Sequence, residues 1–179
     1  MIASLLLRFR IAVAACVFTP HLVIASASDP TPAEIDATAA FEVLKSLAGT
    51  WSGTVTEPET GPAATVVYRV TAGGSVVEER LFPDTAHEMV TMYHLDRGTL
   101  VATHYCAMGN QPRMKLSAGS TRKRLAFEFV SGGNMTSTNE THMHSGTIDV
   151  SEDGRLTAVW DVYKDGVSIG QNRFFLRRR

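Results

Sequence analysis

The sequence predicts an all-β protein, a single antiparallel up-and-down β-barrel of about 8–10 strands with a short N-terminal helix. Three observations predict it. From about residue 51 to residue 177, short runs with period-two alternation of apolar and polar residues follow one another. Between them lie glycine-bearing turns, Ala72-Gly73-Gly74, Asp96-Arg97-Gly98, Ala118-Gly119-Ser120, Asp153-Gly154 and Asp165-Gly166. Such tight turns join strands that pair antiparallel with their neighbours in sequence. No second helical layer follows to cover the sheet edges, and closure into a barrel removes those edges. A flattened sandwich is the alternative arrangement.

The first element is an export signal. Arg8 and Arg10 precede an apolar run from Ile11 to Ala25 that only Thr19-Pro20-His21 interrupts, and Ala25-Ser26-Ala27 gives the small-x-small pattern of a cleavage site. Residues 1–27 are therefore expected to be a secretory signal peptide, and the protein to be periplasmic or secreted. The run is too short and too broken for a stable membrane span of ~20 residues. Val13-Ala14-Ala15-Cys16 resembles a lipoprotein processing site. Only five apolar residues separate Arg10 from Cys16, and the chain stays apolar afterwards, so lipid anchoring at Cys16 is the weaker expectation.

Removing residues 1–27 takes away Arg8 and Arg10 and no acid, leaving 15 basic against 18 acidic residues, a net of −3. That balance offers no basic surplus for phosphates, so nucleic acid is excluded as an expected partner. Arg177-Arg178-Arg179 reads as a solvated tail. Cys106 is then the sole cysteine, so no internal disulfide can form, and a structural, buried thiol is expected.

Residues 28–36 are Pro-rich and polar, a flexible lead; residues 37–179 form one domain. From Ala37 a helical pattern places Phe41, Leu44 and Leu47-Ala48 on one face, and Gly49 ends it. Strands are expected near 51–56, 64–71, 75–83, 89–96, 99–106, 113–118, 123–130, 142–150, 155–163 and 167–177. Their inward faces are apolar and aromatic: Val66, Tyr68 and Val70; Leu125, Phe127 and Phe129; Leu156, Ala158, Trp160 and Val162.

The stretch "LAGTWSG" (47–53), with its helix, Gly49 and Trp51 before the first strand, resembles the opening of lipocalins and related calycin barrels. The resemblance implies that Trp51 packs across the closed barrel end, with Arg173 or Arg177 of the last strand against its ring. It also implies a small apolar ligand in the interior or mouth. The stretches "HEMVTMYHLD" (87–96) and "THYCAMGNQPR" (103–113) resemble a lipocalin-like family of uncharacterised, often exported bacterial proteins, over about Phe41 to Arg177. That family supplies no established activity. A calycin branch that holds haem uses a late histidine, and residues 155–177 contain none, so no cofactor is expected.

Several groups are candidates for chemistry. His104 and Cys106 lie two apart on one strand, and so share a face; they read as a nucleophile with its base or as a buried thiol beside a bonded imidazole. His142 and His144 share parity with Ile148 and Val150, which aims both inward under the polar 131–141 connection. They read as pocket-rim contacts or, with a third ligand such as His94, His104 or Glu79, as a metal pair. In Glu78-Glu79-Arg80 a regular strand sends one acid inward, where it needs a tyrosine, histidine or arginine partner; a bulge would put both acids outside.

The functional expectation is an exported barrel that binds a small apolar or amphipathic molecule. His142, His144, His104, Tyr93, Tyr68 and Trp160 are the expected ligand contacts, and Gly49, Trp51, Arg173 and Cys106 the structural residues. No catalytic residue and no metal ligand is assigned. The alternatives are a hydrolase, isomerase or metal-binding protein that uses His142 and His144 with His104, Cys106 or Glu79, and a filled barrel with a purely structural role.

Overall fold

The computed structural model describes residues 33–179; the expected signal peptide, with Cys16, lies outside them. One helix, α1 (Ala37–Ser46), is followed by ten strands: β1 (Gly49–Val55), β2 (Ala63–Thr71), β3 (Val76–Leu81), β4 (Met89–Asp96), β5 (Thr99–Tyr105), β6 (Gln111–Leu116), β7 (Arg124–Gly133), β8 (His142–Val150), β9 (Arg155–Lys164) and β10 (Val167–Arg178). Each strand pairs antiparallel with its neighbours in sequence, and β10 returns to β1, so the sheet is a closed barrel. The expected strands are all present, with ends moved by a few residues. Among the described residues no helix is long and apolar enough to cross a membrane.

α1 starts where Asp36 accepts a hydrogen bond from the Ala39 N–H at 2.8 Å, an N-cap that satisfies a donor left over by the first turn. It buries Ala40, Phe41 and Leu44 and packs on β2, β4 and β5 at one end of the barrel. The segment before it is tied down. Ile35 is buried, its N–H donates to the Ser120 carbonyl at 2.9 Å, and Glu34 accepts from the Gly119 N–H at 3.0 Å. The part of the expected lead that is described is therefore docked on the 117–123 connection, because Ile35 is an apolar anchor within polar sequence.

The helix end is closed by Trp51. Its ring is 2% exposed and its Nε1–H donates to the Leu47 carbonyl at 2.8 Å. The arginine over the ring is Arg178, with its guanidinium carbon 4.5 Å from the centroid. Arg173 does not serve, nor does Arg177. The β1–β10 register sets Trp51 opposite Arg178 and Ser52 opposite Arg177, while Arg173 lies exposed nearer the other end and bonds Gln171. Arg178 also donates to the Ser46 carbonyl at 2.8 Å and to the Ala48 carbonyl, where the C-terminus of α1 leaves acceptors unfilled. Gly49 has φ +130°, and a Cβ there would stand 2.9 Å from the Arg178 guanidinium; only glycine fits.

Inside, alternation on the strands builds one continuous core. It includes Val66, Tyr68, Val77, Leu81, Tyr93, Leu100, Leu125, Phe127, Ile148, Leu156, Trp160, Phe174 and Leu176. The opposite end carries the connections 56–62, 82–88, 106–110, 134–141 and 165–166.

Candidate ligand-binding site

Three of the buried polar side chains, Glu79, Thr91 and His104, lie on the adjacent strands β3, β4 and β5. β3 has no bulge, so strict alternation buries Val77, Glu79 and Leu81, while Glu78 turns outward to pair with Arg69 at 3.0 Å. Glu79 is fully buried. Its register partners are Tyr68 on β2 and Thr91 on β4, and Thr91 in turn faces His104 on β5. Directly opposed residues on paired strands have Cβ atoms ~5 Å apart, which lets the side chains touch. Tyr68, Glu79, Thr91 and His104 thus form one polar rung across four strands.

The contacts along the rung are close. The Tyr68 hydroxyl donates to Glu79 Oε1 at 2.9 Å, and the Tyr93 hydroxyl to Oε2 at 2.6 Å. Burial pushes the Glu79 carboxyl up from its ordinary range; hydrogen bonds from Tyr93, Tyr68 and Thr91 pull it partly back. Burial likewise raises both tyrosines, with the Glu79 charge adding to it. The inward acid has found the tyrosine partners it requires.

His104 is 2% exposed, and its Nδ1 shares a 2.9 Å hydrogen bond with the Thr91 hydroxyl. Burial lowers its pKa to about 4, so at neutral pH the ring is uncharged. Its Nε2 is buried and has no partner among the described residues. The Thr91 hydroxyl has one proton. If that proton goes to Glu79, the hydroxyl accepts from His104 Nδ1–H and Nε2 is left an acceptor; if it goes to Nδ1, Nε2–H is left a donor. Either way the rung ends in one open hydrogen-bonding position. The indole Nε1 of Trp160 is a second buried polar atom without a partner. Trp160 lies flat against Gly146, where a Cβ would come within 2.1 Å of the ring.

The histidines of β8 are arranged differently from simple parity. The β8–β9 ladder shifts register between Met143 and Ser145, so Met143 pairs with Val162 and joins the core. This bulge breaks the alternation that linked His142 and His144 to Ile148. His142 is 1% exposed, its Nδ1 lies 2.7 Å from the Glu140 carbonyl, and its Nε2 shares a 3.0 Å bond with His144 Nδ1. The His144 ring stacks between Phe129 and Tyr163, with centroids 5.1 and 4.0 Å away. Burial, then the neighbouring His142, lowers its pKa. Both nitrogens of His142 are thereby engaged, and so is His144 Nδ1. Among the described residues no set of three or more histidine, cysteine or acidic side chains is gathered to hold a metal.

Cys106 lies just past the end of β5, half-buried, and its Sγ accepts from the Met108 N–H at 3.5 Å. His104 bonds Thr91 instead, so the structure does not assemble a Cys–His pair. The structure thus joins Tyr68, Tyr93 and His104 through Glu79 and Thr91. It places Trp160 in the same core and sets His142 and His144 in a separate aromatic stack. Two participants escaped sequence reasoning. Thr91 carried no signal until the β4–β5 register was known. Asn110, 5% exposed, ties the 106–110 connection to the next by donating from Nδ2 to the Thr141 carbonyl at 2.8 Å; the turn-forming "GNQP" was its only trace.

No protein-family model matches the chain, and no curated protein matches it. The ten-strand antiparallel up-and-down barrel fits a calycin or lipocalin-like fold.

Proposed function

We propose that this protein is an exported, lipocalin-like barrel that binds a small, mostly apolar molecule carrying one hydroxyl or carbonyl group. The observation that carries the reading is His104: a neutral imidazole, 2% exposed, with Nε2 unpartnered at the end of the Tyr68–Glu79–Thr91 rung. A buried polar atom without a hydrogen bond costs ~1–3 kcal/mol, and a ligand group or a water supplied to it recovers that cost. The aromatic and aliphatic walls around the rung suit an apolar body, with few polar groups fixing its orientation, as in small-molecule sites generally. Both Glu79 oxygens are already taken by tyrosine hydroxyls, and His104 has no thiol beside it, so binding is better supported than hydrolysis or isomerisation. The export assignment rests on Arg8, Arg10, the apolar run to Ala25 and the Ala25-Ser26-Ala27 pattern.

Native mass spectrometry of the protein purified gently from its own host tests the reading. A small organic adduct that is lost on unfolding, and lost from His104→Phe while Glu79 and the fold are kept, is the expected result. A wild-type protein that carries no adduct, and whose His104 Nε2 is shown by nitrogen-15 NMR to contact only water, would overturn it.

A further inference from the structure

The outer wall of the barrel carries a groove of about 560 Å³ that the interior site does not involve. Its floor is made by outward residues of four strands. Thr54 of β1 stands opposite Phe175 of β10, which stands opposite Thr157 of β9, and Asp149 of β8 follows. One step nearer the helix end, Ser52 stands opposite Arg177 and Arg177 opposite Arg155. The lining is completed by Pro58 and Glu59 toward the loop end and by Lys123 toward the other.

Two features of this wall are unexplained by the fold. Arg155 and Arg177 are directly opposed across strands, a like-charge pairing that disfavours the sheet unless an anion lies between the two. The other basic groups along the groove are matched, Arg155 with Asp153 at 2.7 Å and Lys123 with Glu152 at 2.6 Å, and Asp149 pairs with Arg124 at 2.9 Å; Glu59, at the loop end, has no ion-pair partner among the described residues. Among the described residues Arg177 has no such partner. The Ser52 hydroxyl, beside it, is buried and makes no hydrogen bond to any described residue. One leftover cation and one leftover hydroxyl are therefore next to each other, at the end of a strip formed by the half-buried Phe175 ring and the threonine methyl groups.

We propose that this groove is a binding site for an amphipathic carboxylate, a carboxyl group on an unbranched hydrocarbon chain. The carboxylate sits against the Arg177 guanidinium, which offers it two parallel N–H donors, and accepts from the Ser52 hydroxyl. The chain lies along Phe175, Thr157 and Thr54. The groove volume falls within the ~300–1,000 Å³ of ordinary small-molecule sites.

Decanoate is the probe. Isothermal titration at low salt should show one equivalent bound, with 1-decanol bound at least ~10-fold more weakly. Arg177→Gln should weaken decanoate at least ~10-fold and Ser52→Ala several-fold, while Arg69→Gln, on the outer face of β2, leaves affinity unchanged. Amide NMR shifts on titration should fall on Ser52, Thr54, Thr157 and Phe175. Equal affinity for decanoate and decanol, or an Arg177→Gln protein that binds decanoate as the wild type does, overturns the proposal. So do shifts centred on Thr91 and His104, which would instead place the carboxylate in the interior and strengthen the reading of that site. Circular dichroism of each variant confirms the fold, and Ser52→Ala, which removes a single hydroxyl that makes no hydrogen bond to any described residue, serves should Arg177→Gln fail to fold.

Discussion

Arg178 spans the helix end of the barrel, with its guanidinium 4.5 Å from the Trp51 ring and hydrogen-bonded to the carbonyls of Ser46, the last helical residue, and Ala48 just beyond it. One side chain thus joins the first strand, the last strand and α1. Trp51→Ala removes a large core side chain and should cost ~3–5 kcal/mol. Arg178→Ala should cost ~1–3 kcal/mol, from the cation–π contact and the carbonyls left unfilled. Arg178→Lys keeps the charge but not the forked donors, and should fall between. Urea midpoints of the three variants check the order.

Acid should find His104 first. Its pKa of about 4 in the fold is below the ~6.5 of an unfolded histidine. Above pH ~6.5 the ring is neutral in both states and gives no pH dependence. As pH falls from ~6.5 toward ~4, the unfolded chain binds a proton that the native one does not, so stability declines, by on the order of 3 kcal/mol across the window. His104→Gln should lose less stability than the wild type between pH 7 and pH 4.5. Equal losses in parallel urea titrations would contradict a buried neutral ring.

Glu79 should act in the opposite direction. Its folded pKa is raised, so its contribution is present below the unfolded carboxylate pKa and is lost as pH rises through the folded value. Glu79→Gln should flatten the decline on that side and keep partners for Tyr68 and Tyr93. Glu79→Leu strands two buried hydroxyls and should cost ~2–5 kcal/mol. Stability curves over pH 4–9 for the three proteins separate the cases.

Gly146 faces Trp160 so closely that any side chain displaces the ring. Gly146→Ala should cost ~1–3 kcal/mol by overpacking and move Trp160 out of its site. The near-ultraviolet circular dichroism and the tryptophan emission maximum should both change. Retained spectra would show that the ring has room to yield.

The strands were legible because each carries its own period-two record, and the turns because glycine marks them; Asp96-Arg97-Gly98 is a case, with Arg97 and Gly98 both at positive φ. What spans strands was harder to read. The polar rung needs the register of three successive ladders: Tyr68, Glu79 and His104 were each legible as inward or polar candidates, but Thr91, which joins them, was not. The arginine against Trp51 was sought at Arg173 or Arg177 because the resemblance specifies a strand and not a register. The pairing of β1 with β10 is fixed by closure of the whole ring, and it selects Arg178. For His142 and His144 parity alone was too simple a guide: one extra residue in β8 shifts the register between Met143 and Ser145 and brings Met143 into the core, while His142 is buried against His144 and the Glu140 carbonyl.

Barrel closure also bears on how the chain folds and fails. Nine of the ten ladders join sequence neighbours and can form as hairpins in any order. The tenth pairs Trp51 with Arg178, across nearly the whole domain, so it should be the slow, entropy-limited step. Until that clasp shuts, β1 and β10 are bare edges able to recruit other copies. Deleting residues 174–179 removes the clasp and leaves the hairpins, so the truncated chain should keep β structure while aggregating in proportion to its concentration.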